Sequence, residues 1–271
     1  MATALTLDDL RRAVSKVGVS GTTVCVHSSL RSFGHIEGGA DTVVDAFVDE
    51  GCTLVVPTFA ALIFGVAPPE GMRPERNGID YDAPHESPGR DRVFTSASND
   101  VSPSMGAIPA AVLARPERVR GDHPLCSFTA LGPAADLVRE QRPLDVYSPL
   151  RILGARDGFV LLIGVGLERM TLLHLAEERA GRALFRRWAN APDGRPMEVE
   201  TGGCSDGFGN LEGVLGPLAR ETRVGDSRWR AFPARAALDA ATKAIREDPE
   251  ITRCGRADCQ RCPDAIAGGP R

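Results

Sequence analysis

A histidine among leucines is the first candidate for chemistry in this sequence. It lies in "TLLHLAEERAG", Thr171 to Gly181, a pattern typical of an amphipathic helix that Thr171 caps and Gly181 ends. Glu177 and Glu178 follow His174 by three and four residues, within reach of the same helix face. A carboxylate that fixes the tautomer of a histidine allows the ring to act as a general base near neutral pH. Position alone slightly favours the alternative, a hydrogen-bonded histidine in the core.

Two loops place polar side chains beside predicted strands. The stretch "VHSSLRSFG" puts Ser28 and Ser29 directly after a strand, where backbone N–H groups and hydroxyls suit phosphate oxygens. An ordinary turn is the alternative. The stretch "RGDHPLCSFTALG" puts Asp122 and His123 before Pro124, which favours a rigid, extended turn. A turn-stabilising aspartate is the alternative there.

A Gly-rich segment and the C-terminal tail hold the remaining candidates. The segment "CSDGFGNLEGVL" places Cys204 and Glu212 in or near a turn, although Glu212 by itself suits an exposed helix surface. In "CGRADCQRCPD", the spacing of Cys254, Cys259 and Cys262 would ligate zinc if a fourth ligand came from elsewhere in the chain. We expect no metal, because no second cysteine pair accompanies these three. A surface or packing role is the prediction for the tail cysteines.

The segments that must position these residues alternate between helix and strand patterns. The predicted helices are residues 7–17, "ADTVVDAFVDEG", 106–115, 133–140, the histidine helix, an interrupted helix "GFGNLEGVLGPLAR" and "PARAALDAATKAIRED". The predicted strands are "TTVCVH", "CTLVVPTF", "CSFTALG", "GFVLLIGVG" and an edge strand "MEVE". This order predicts an α/β fold with a mixed, largely parallel central sheet flanked by helices.

One domain is predicted over residues 1–271, because no repeat or linker interrupts the pattern. The segment 65–103 is rich in proline, glycine and charge, and it is too long for an ordinary connection. We therefore expect a lid or substrate-side loop there. The Cys-containing tail covers about residues 250–271.

Composition narrows the partners and the location. Hydrophobic residues are 42% and charged residues 25%, and the net charge of −4 gives no electrostatic reason to expect nucleic acid while permitting a cationic substrate. No apolar run approaches the roughly 20 residues that span a bilayer, and no signal pattern opens the sequence. We expect a soluble cytoplasmic protein, monomer or homodimer, without a membrane partner.

Several of these segments, in this order, resemble the aminoglycoside 3-N-acetyltransferase family, antibiotic N-acetyltransferases that are unrelated in fold to the larger GNAT superfamily. The matching segments run from residue 24 to about 212: "VHSSLRSFG", "GGADTVVDAF", "GCTLVVPTF", "SPSMGAIP", "HPLCSFTALG", "SPLRILGARDGFVLLIGVGLERMTLLHLAEE" and, more loosely, "GCSDGFGNLE". The resemblance implies transfer of acetyl from acetyl-CoA to an amine of an aminoglycoside, which confers antibiotic resistance. It favours His174 as the general base of a direct transfer.

The resemblance also implies roles for individual residues. Glu212 is similar to the family's partner carboxylate for the histidine, and Glu177 is the local competitor. The residues implied for acetyl-CoA are Ser28, Ser29, Leu30, Arg31, Ser32, Phe33, Gly34, Ser104, Met105, Gly106 and Thr171. The residues implied for the aminoglycoside are Asp122, His123, Glu168, Tyr81 and Glu177.

The acceptor is less well defined than the donor. The loop at 65–103 is longer and richer in proline than we expect of the family, and "RVRGDHP" departs from its usual motif. The 2′-amine of kasugamycin and a non-antibiotic amine therefore stay open as acceptors. An acyl-enzyme on Cys126 or Cys204 stays open as a second mechanism. A catalytically inactive protein that binds CoA or an antibiotic stays open as a second function.

Overall fold

The computed structural model describes residues 4–271 of the chain, and these residues contain ten strands and nine α-helices. The strands are β1 Thr23–Ser28, β2 Thr53–Pro57, β3 Gly65–Val66, β4 Val119–Arg120, β5 Phe128–Leu131, β6 Phe159–Ile163, β7 Phe185–Asn190, β8 Pro196–Thr201, β9 Arg220–Val224 and β10 Ser227–Pro233. The α-helices are α1 Leu7–Lys16, α2 Ala40–Asp49, α3 Ala61–Phe64, α4 Ala107–Ala114, α5 Ser148–Ala155, α6 Leu172–Arg179, α7 Glu212–Leu215, α8 Ala234–Glu247 and α9 Arg261–Ile266. Within residues 4–271, no helix has the length and apolar character that crossing a membrane requires.

Seven of the strands form one sheet in the order β4-β5-β2-β1-β6-β10-β9. The pairs β1–β2 and β1–β6 are parallel, whereas the four outer pairs are antiparallel. The prediction of a mixed α/β sheet is confirmed, but parallel pairing is limited to the three central strands. Ser28 lies opposite Ile163, so β1 and β6 end at the same edge of the sheet. The loops that follow these two strands therefore leave the sheet side by side.

Helices bury both faces of this sheet. Along β1, Val24 and Val26 pack into one apolar cluster and Cys25 packs into the other. Helices α1, α2 and α4 pack together on the first face, and α5, α6 and α8 pack together on the second. Burial on both faces explains why the central strands are continuous apolar runs in the sequence.

A second, antiparallel sheet has the strand order β3-β7-β8. Its edge strand β8 contains the predicted strand "MEVE". The long segment after β3 packs along β7: the Asn190 side chain donates to the carbonyl oxygens of Gly89, Arg90 and Arg92 at 2.8–3.0 Å. Asn77 also exchanges hydrogen bonds with the β7 backbone. These bonds hold the segment against the second sheet.

Eight elements were not predicted from the sequence: α3, α5, α9, β3, β4, β7, β9 and β10. Strands β9 and β10 form a hairpin with several charged side chains, including the cross-strand pair Arg228–Glu221 at 2.6 Å, so its apolar pattern is weak. Residues 133–140, predicted as a helix, contain the 3-10 helix Ala135–Glu140. The predicted interruption of "GFGNLEGVLGPLAR" is confirmed, because the segment forms three short helical pieces.

His123 is a structural group in the fold, which corrects its prediction as a substrate contact. Its buried ring accepts hydrogen bonds at Nδ1 from the backbone N–H groups of Leu125 and Cys126, at 3.3 and 2.9 Å. Because Nδ1 accepts, Nε2 carries the proton and donates to the carbonyl oxygen of Glu200 at 2.9 Å. Burial lowers the pKa of His123 to about 4. The neutral ring therefore ties the start of β5 to β8.

We expect His123 to make the protein less stable as the pH falls. Unfolded histidine binds a proton near its ordinary pKa of about 6.5, whereas the folded ring does so near 4. Between these pH values the unfolded state binds more protons, so the free energy of unfolding falls by about 1.4 kcal/mol per pH unit for this group. The substitution His123→Asn should make the pH dependence shallower by that amount in urea denaturation curves. An unchanged slope would contradict the assignment.

Candidate active site

A cleft of about 1500 Å³ opens where β1 and β6 end. Ligands of open α/β sheets bind beyond the carboxyl ends of the strands, so the cleft has the expected position. Nine of the residues predicted for acetyl-CoA line it: Ser28, Ser29, Leu30, Arg31, Ser32, Ser104, Met105, Gly106 and Thr171. The other two do not line it. Phe33 is buried against the Trp229 ring at 5.9 Å, and Gly34 takes a turn with φ of +85°.

His174 also lines this cleft, from the first turns of α6. Its ring stacks on Tyr147 at 6.0 Å and meets the edge of Phe208 at 4.8 Å. Gly202 packs against the same ring, since a Cβ atom there would overlap Cδ2 of His174 and the hydroxyl of Tyr147. The imidazole is therefore held on several sides and keeps one orientation.

A buried carboxylate fixes the tautomer of that histidine. Oε2 of Glu177 lies 3.0 Å from Nδ1 of His174, and its other oxygen accepts from Arg182 at 2.5 Å. All three side chains are buried. The Glu177 carboxylate accepts from the Arg182 guanidinium, and it accepts in the same way from Nδ1–H of His174, so Nε2 of the ring keeps its lone pair. A histidine oriented by a carboxylate in this way can act as a general base at Nε2.

Glu212, predicted as the partner of His174, lies elsewhere. Its carboxylate accepts from both terminal nitrogens of Arg230, at 2.9 and 2.5 Å, and its side chain is 53% exposed. It does not line the cleft. The carboxylate beside His174 is therefore that of Glu177, the alternative partner three residues along α6. In this structure Glu212 is paired with Arg230 of β10, a strand that the sequence pattern did not reveal.

Among the residues predicted to bind the aminoglycoside, Glu168 lines the cleft, where its carboxylate accepts from the backbone N–H of Gly166 at 3.2 Å. Asp122 is exposed outside the cleft. Tyr81 also lies outside the cleft, with its hydroxyl 3.1 Å from Asn77. Of the segment 65–103 predicted as a lid, Pro103 lines the cleft and residues 65–102 do not. Asn77, Gly89, Arg90 and Arg92 of this segment bond to β7 of the second sheet.

The cysteines proposed as acyl carriers are poor nucleophiles in this setting. Cys126 lines the cleft, but burial raises the pKa of its thiol to about 12. Burial also raises the pKa of the Cys204 thiol. Because the thiolate is the reactive form, a raised pKa makes both thiols weaker nucleophiles. Direct transfer needs no such carrier.

The cleft also holds residues that the sequence did not reveal. His27 lies there, one residue before the end of β1, and burial lowers its pKa to about 3, so it accepts a proton less readily than an ordinary histidine. The hairpin of β9 and β10 contributes Arg223, Arg228 and Arg230 to the cleft. The signal for His27 was its place at a strand end, whereas the arginines could be placed only after the hairpin was known. Arg228 and Arg230 are paired with Glu221 and Glu212, whereas the positive charge of Arg223 suits a phosphate-bearing ligand.

Comparison with known proteins identifies relatives that are named as aminoglycoside N-acetyltransferases or as similar to them. The family model Aminoglycoside 3-N-acetyltransferase matches residues 25–246. Aminoglycoside N(3)-acetyltransferase VIII of Streptomyces fradiae is 34% identical over 177 residues, or 63% of this chain and 60% of that protein. The SPbeta prophage-derived aminoglycoside N(3′)-acetyltransferase-like protein YokD of Bacillus subtilis is 35% identical over 246 residues, or 82% of this chain and 85% of that protein. The chain thus matches about 60% of the length of the Streptomyces protein.

Solved structures agree with the sequence relatives. The apoenzyme of aminoglycoside acetyltransferase AAC(3)-IVa is 26% identical, covers 99% of both chains and superposes with a TM-score of 0.77. A mutant of the same enzyme in complex with gentamicin gives a TM-score of 0.79 at the same identity and coverage. The binary complex of AAC-IIIb with CoASH shares the fold, with 22% identity, a TM-score of 0.71 and 90% of this chain covered, against 97% of its own. The homologues are aminoglycoside N-acetyltransferases, in agreement with the predicted fold and enzyme class.

Gly202 offers a test of how tightly His174 is held. The substitution Gly202→Ala would push a methyl group into His174 and Tyr147, and overpacking of this kind costs about 1–3 kcal/mol. Gly209→Ala is the matched control, because nothing lies within 4 Å of the added methyl there. Urea denaturation should therefore show a loss of stability for Gly202→Ala only. Equal stability of the two variants would mean that the His174 ring has room to move.

Proposed function

Since the chain belongs to the aminoglycoside 3-N-acetyltransferase family, we propose that it transfers an acetyl group from acetyl-CoA to an amine of an aminoglycoside antibiotic and thereby confers resistance. The observation that carries this proposal is the buried chain Arg182–Glu177–His174 at a cleft lined by the predicted CoA loops. A protein that only binds CoA or an antibiotic has no need of an oriented base. The buried ion pair would be an unexplained cost in such a protein.

His174 supplies the base of the reaction. The amine of the antibiotic is an ammonium ion near neutral pH and has no lone pair for attack until it loses a proton. One proton of the ammonium ion goes to solvent. Nε2 of His174 takes a second proton from the neutral amine as its nitrogen bonds to the thioester carbon, and Glu177 stabilises the imidazolium that forms. The tetrahedral intermediate then collapses with cleavage of the carbon–sulfur bond. The imidazolium returns the proton to the CoA sulfur, so the base is restored.

Acetyl-CoA would occupy the side of the cleft formed by the β1 loop and the turn at Pro103–Gly106. The backbone N–H groups and hydroxyls of Ser28–Ser32 suit its phosphates, and Arg223 from the hairpin adds positive charge at the cleft wall. AAC-IIIb, which shares this fold, is known in a binary complex with CoASH. Thr171, at the start of α6 in the turn before His174, would contact the thioester end.

The antibiotic would occupy the side near Glu168. Its carboxylate is half-buried in the cleft wall and can hold one of the other ammonium groups of the substrate. The relative from Streptomyces fradiae is named as an N(3)-acetyltransferase, and AAC(3)-IVa has been crystallised with gentamicin. We therefore place the 3-amine of an aminoglycoside first as the acceptor. The kasugamycin 2′-amine draws no support from these relatives.

Thiol release from acetyl-CoA tests the proposed activity. Purified protein would be assayed with gentamicin, kanamycin, neomycin, apramycin and kasugamycin, and NMR of the product would locate the acetyl group. We expect turnover with at least one antibiotic that carries a 3-amine, and acetylation at that amine. Folded protein that binds CoA in calorimetry but turns over none of the five would contradict the proposal.

A further inference from the structure

Four cysteine sulfurs lie close together beside the turn after β8, whose Gly202 and Phe208 contact His174. The sulfurs of Cys204, Cys254, Cys259 and Cys262 all lie within 4.8 Å of one another, and all four thiols are free. Cys204 follows β8, about 50 residues before the tail, and is the fourth ligand that the tail lacks in the sequence. The fold therefore completes a set of four sulfur ligands from two distant segments.

The separation of these sulfurs suits a single tetrahedral metal ion. Zinc binds thiolates at about 2.3 Å, so the sulfurs of a tetrahedral site are about 3.8 Å apart. The observed limit of 4.8 Å leaves room for that geometry with small side-chain adjustments. An iron–sulfur cluster inserts its own atoms between the cysteine ligands and needs a wider arrangement. Soft sulfur ligands in a closed set of four are typical of structural zinc.

We propose that Cys204, Cys254, Cys259 and Cys262 bind one structural zinc ion that fastens the C-terminal tail to the turn after β8. This inference replaces the expectation that the protein binds no metal, which rested on the lack of a fourth ligand near the tail. The site is separate from the reacting groups, and its metal content can be measured without substrate.

The two segments that the zinc joins flank the catalytic groups. Cys204 lies between Gly202 and Phe208, which both contact His174. Cys254 lies two residues after Thr252, and the hydroxyl of Thr252 donates to the Glu177 carboxylate at 3.3 Å. The zinc therefore braces both the ring of His174 and the carboxylate that orients it.

Close backbone packing around the site agrees with a fixed junction. Gly207 lies directly against the backbone of Thr252 and Arg253, where a Cβ atom would overlap the chain. Asn210 donates to the carbonyl oxygens of Ile251 and Arg253, at 3.0 and 3.2 Å. The turn and the tail thus meet along their backbones next to the four sulfurs, and the metal would close that junction through ligands on both sides.

Metal analysis of the untagged full chain tests the site. Protein purified without chelators should contain about one zinc per chain by inductively coupled plasma mass spectrometry. The double variant Cys259→Ser/Cys262→Ser should lose that zinc, and Cys52→Ser, which removes a buried cysteine outside the cluster, should keep it. Exchange with Co²⁺ should give the visible absorption of a tetrahedral tetrathiolate site in the wild type and not in the double variant.

Three results would overturn the proposal. One is metal-free wild-type protein whose four thiols react freely and which takes up no added zinc or cobalt. The second is a disulfide among the four cysteines in protein isolated under reducing conditions. The third is a zinc content that is unchanged in Cys259→Ser/Cys262→Ser. Because none of these measurements uses acetyl-CoA or an antibiotic, they stand or fall independently of the proposed activity.

Discussion

The carboxylate of Glu177 is buried, and an isolated buried carboxylate costs several kcal/mol in lost hydration. Arg182 offsets this cost with an ion pair at 2.5 Å, and it also donates to Thr252 and to the carbonyl oxygen of Pro249. The orientation of His174 depends on that carboxylate, so it also depends on the segment after α8 that holds Arg182. A carboxylate held in this way fixes the orientation of the imidazole, which is what the proposed mechanism asks of it.

The central sheet brings the remaining groups to the same place. Because β1 and β6 are parallel neighbours, the loop of Ser28–Ser32 and the loop that leads into α6 leave one edge together. The β9–β10 hairpin adds arginines on one side of the cleft, and the turn after β8 closes around the histidine on another. The proposed donor site and base thus follow from the strand order of the central sheet, whereas the turn that meets the tail follows β8 of the second sheet.

Local patterns in the sequence predict much of this arrangement. The central strands were recognisable because they are buried on both faces, and the contact between His174 and Glu177 was foreseeable because three residues separate them on one helix. Long-range pairings were not foreseeable. Glu212 was assigned to the histidine from the family resemblance, and its partner Arg230 lies in a strand that was not predicted. The tail cysteines lacked a fourth ligand until the fold brought Cys204 to them. His123 was taken as a substrate residue from the family resemblance. Its burial and its hydrogen bonds to the backbone depend on the fold and could not be predicted from the sequence.

The turnover number of three single variants tests the central claim, that His174 oriented by Glu177 is the base. His174→Ala should lower kcat by the roughly 10²–10⁴-fold expected when a general base is lost. Glu177→Gln should lower kcat in the same direction, and Glu212→Gln should stay close to wild type, with CoA binding retained in all three as a control for folding. The account would be contradicted if His174→Ala kept wild-type turnover, or if Glu212→Gln lost activity while Glu177→Gln kept it.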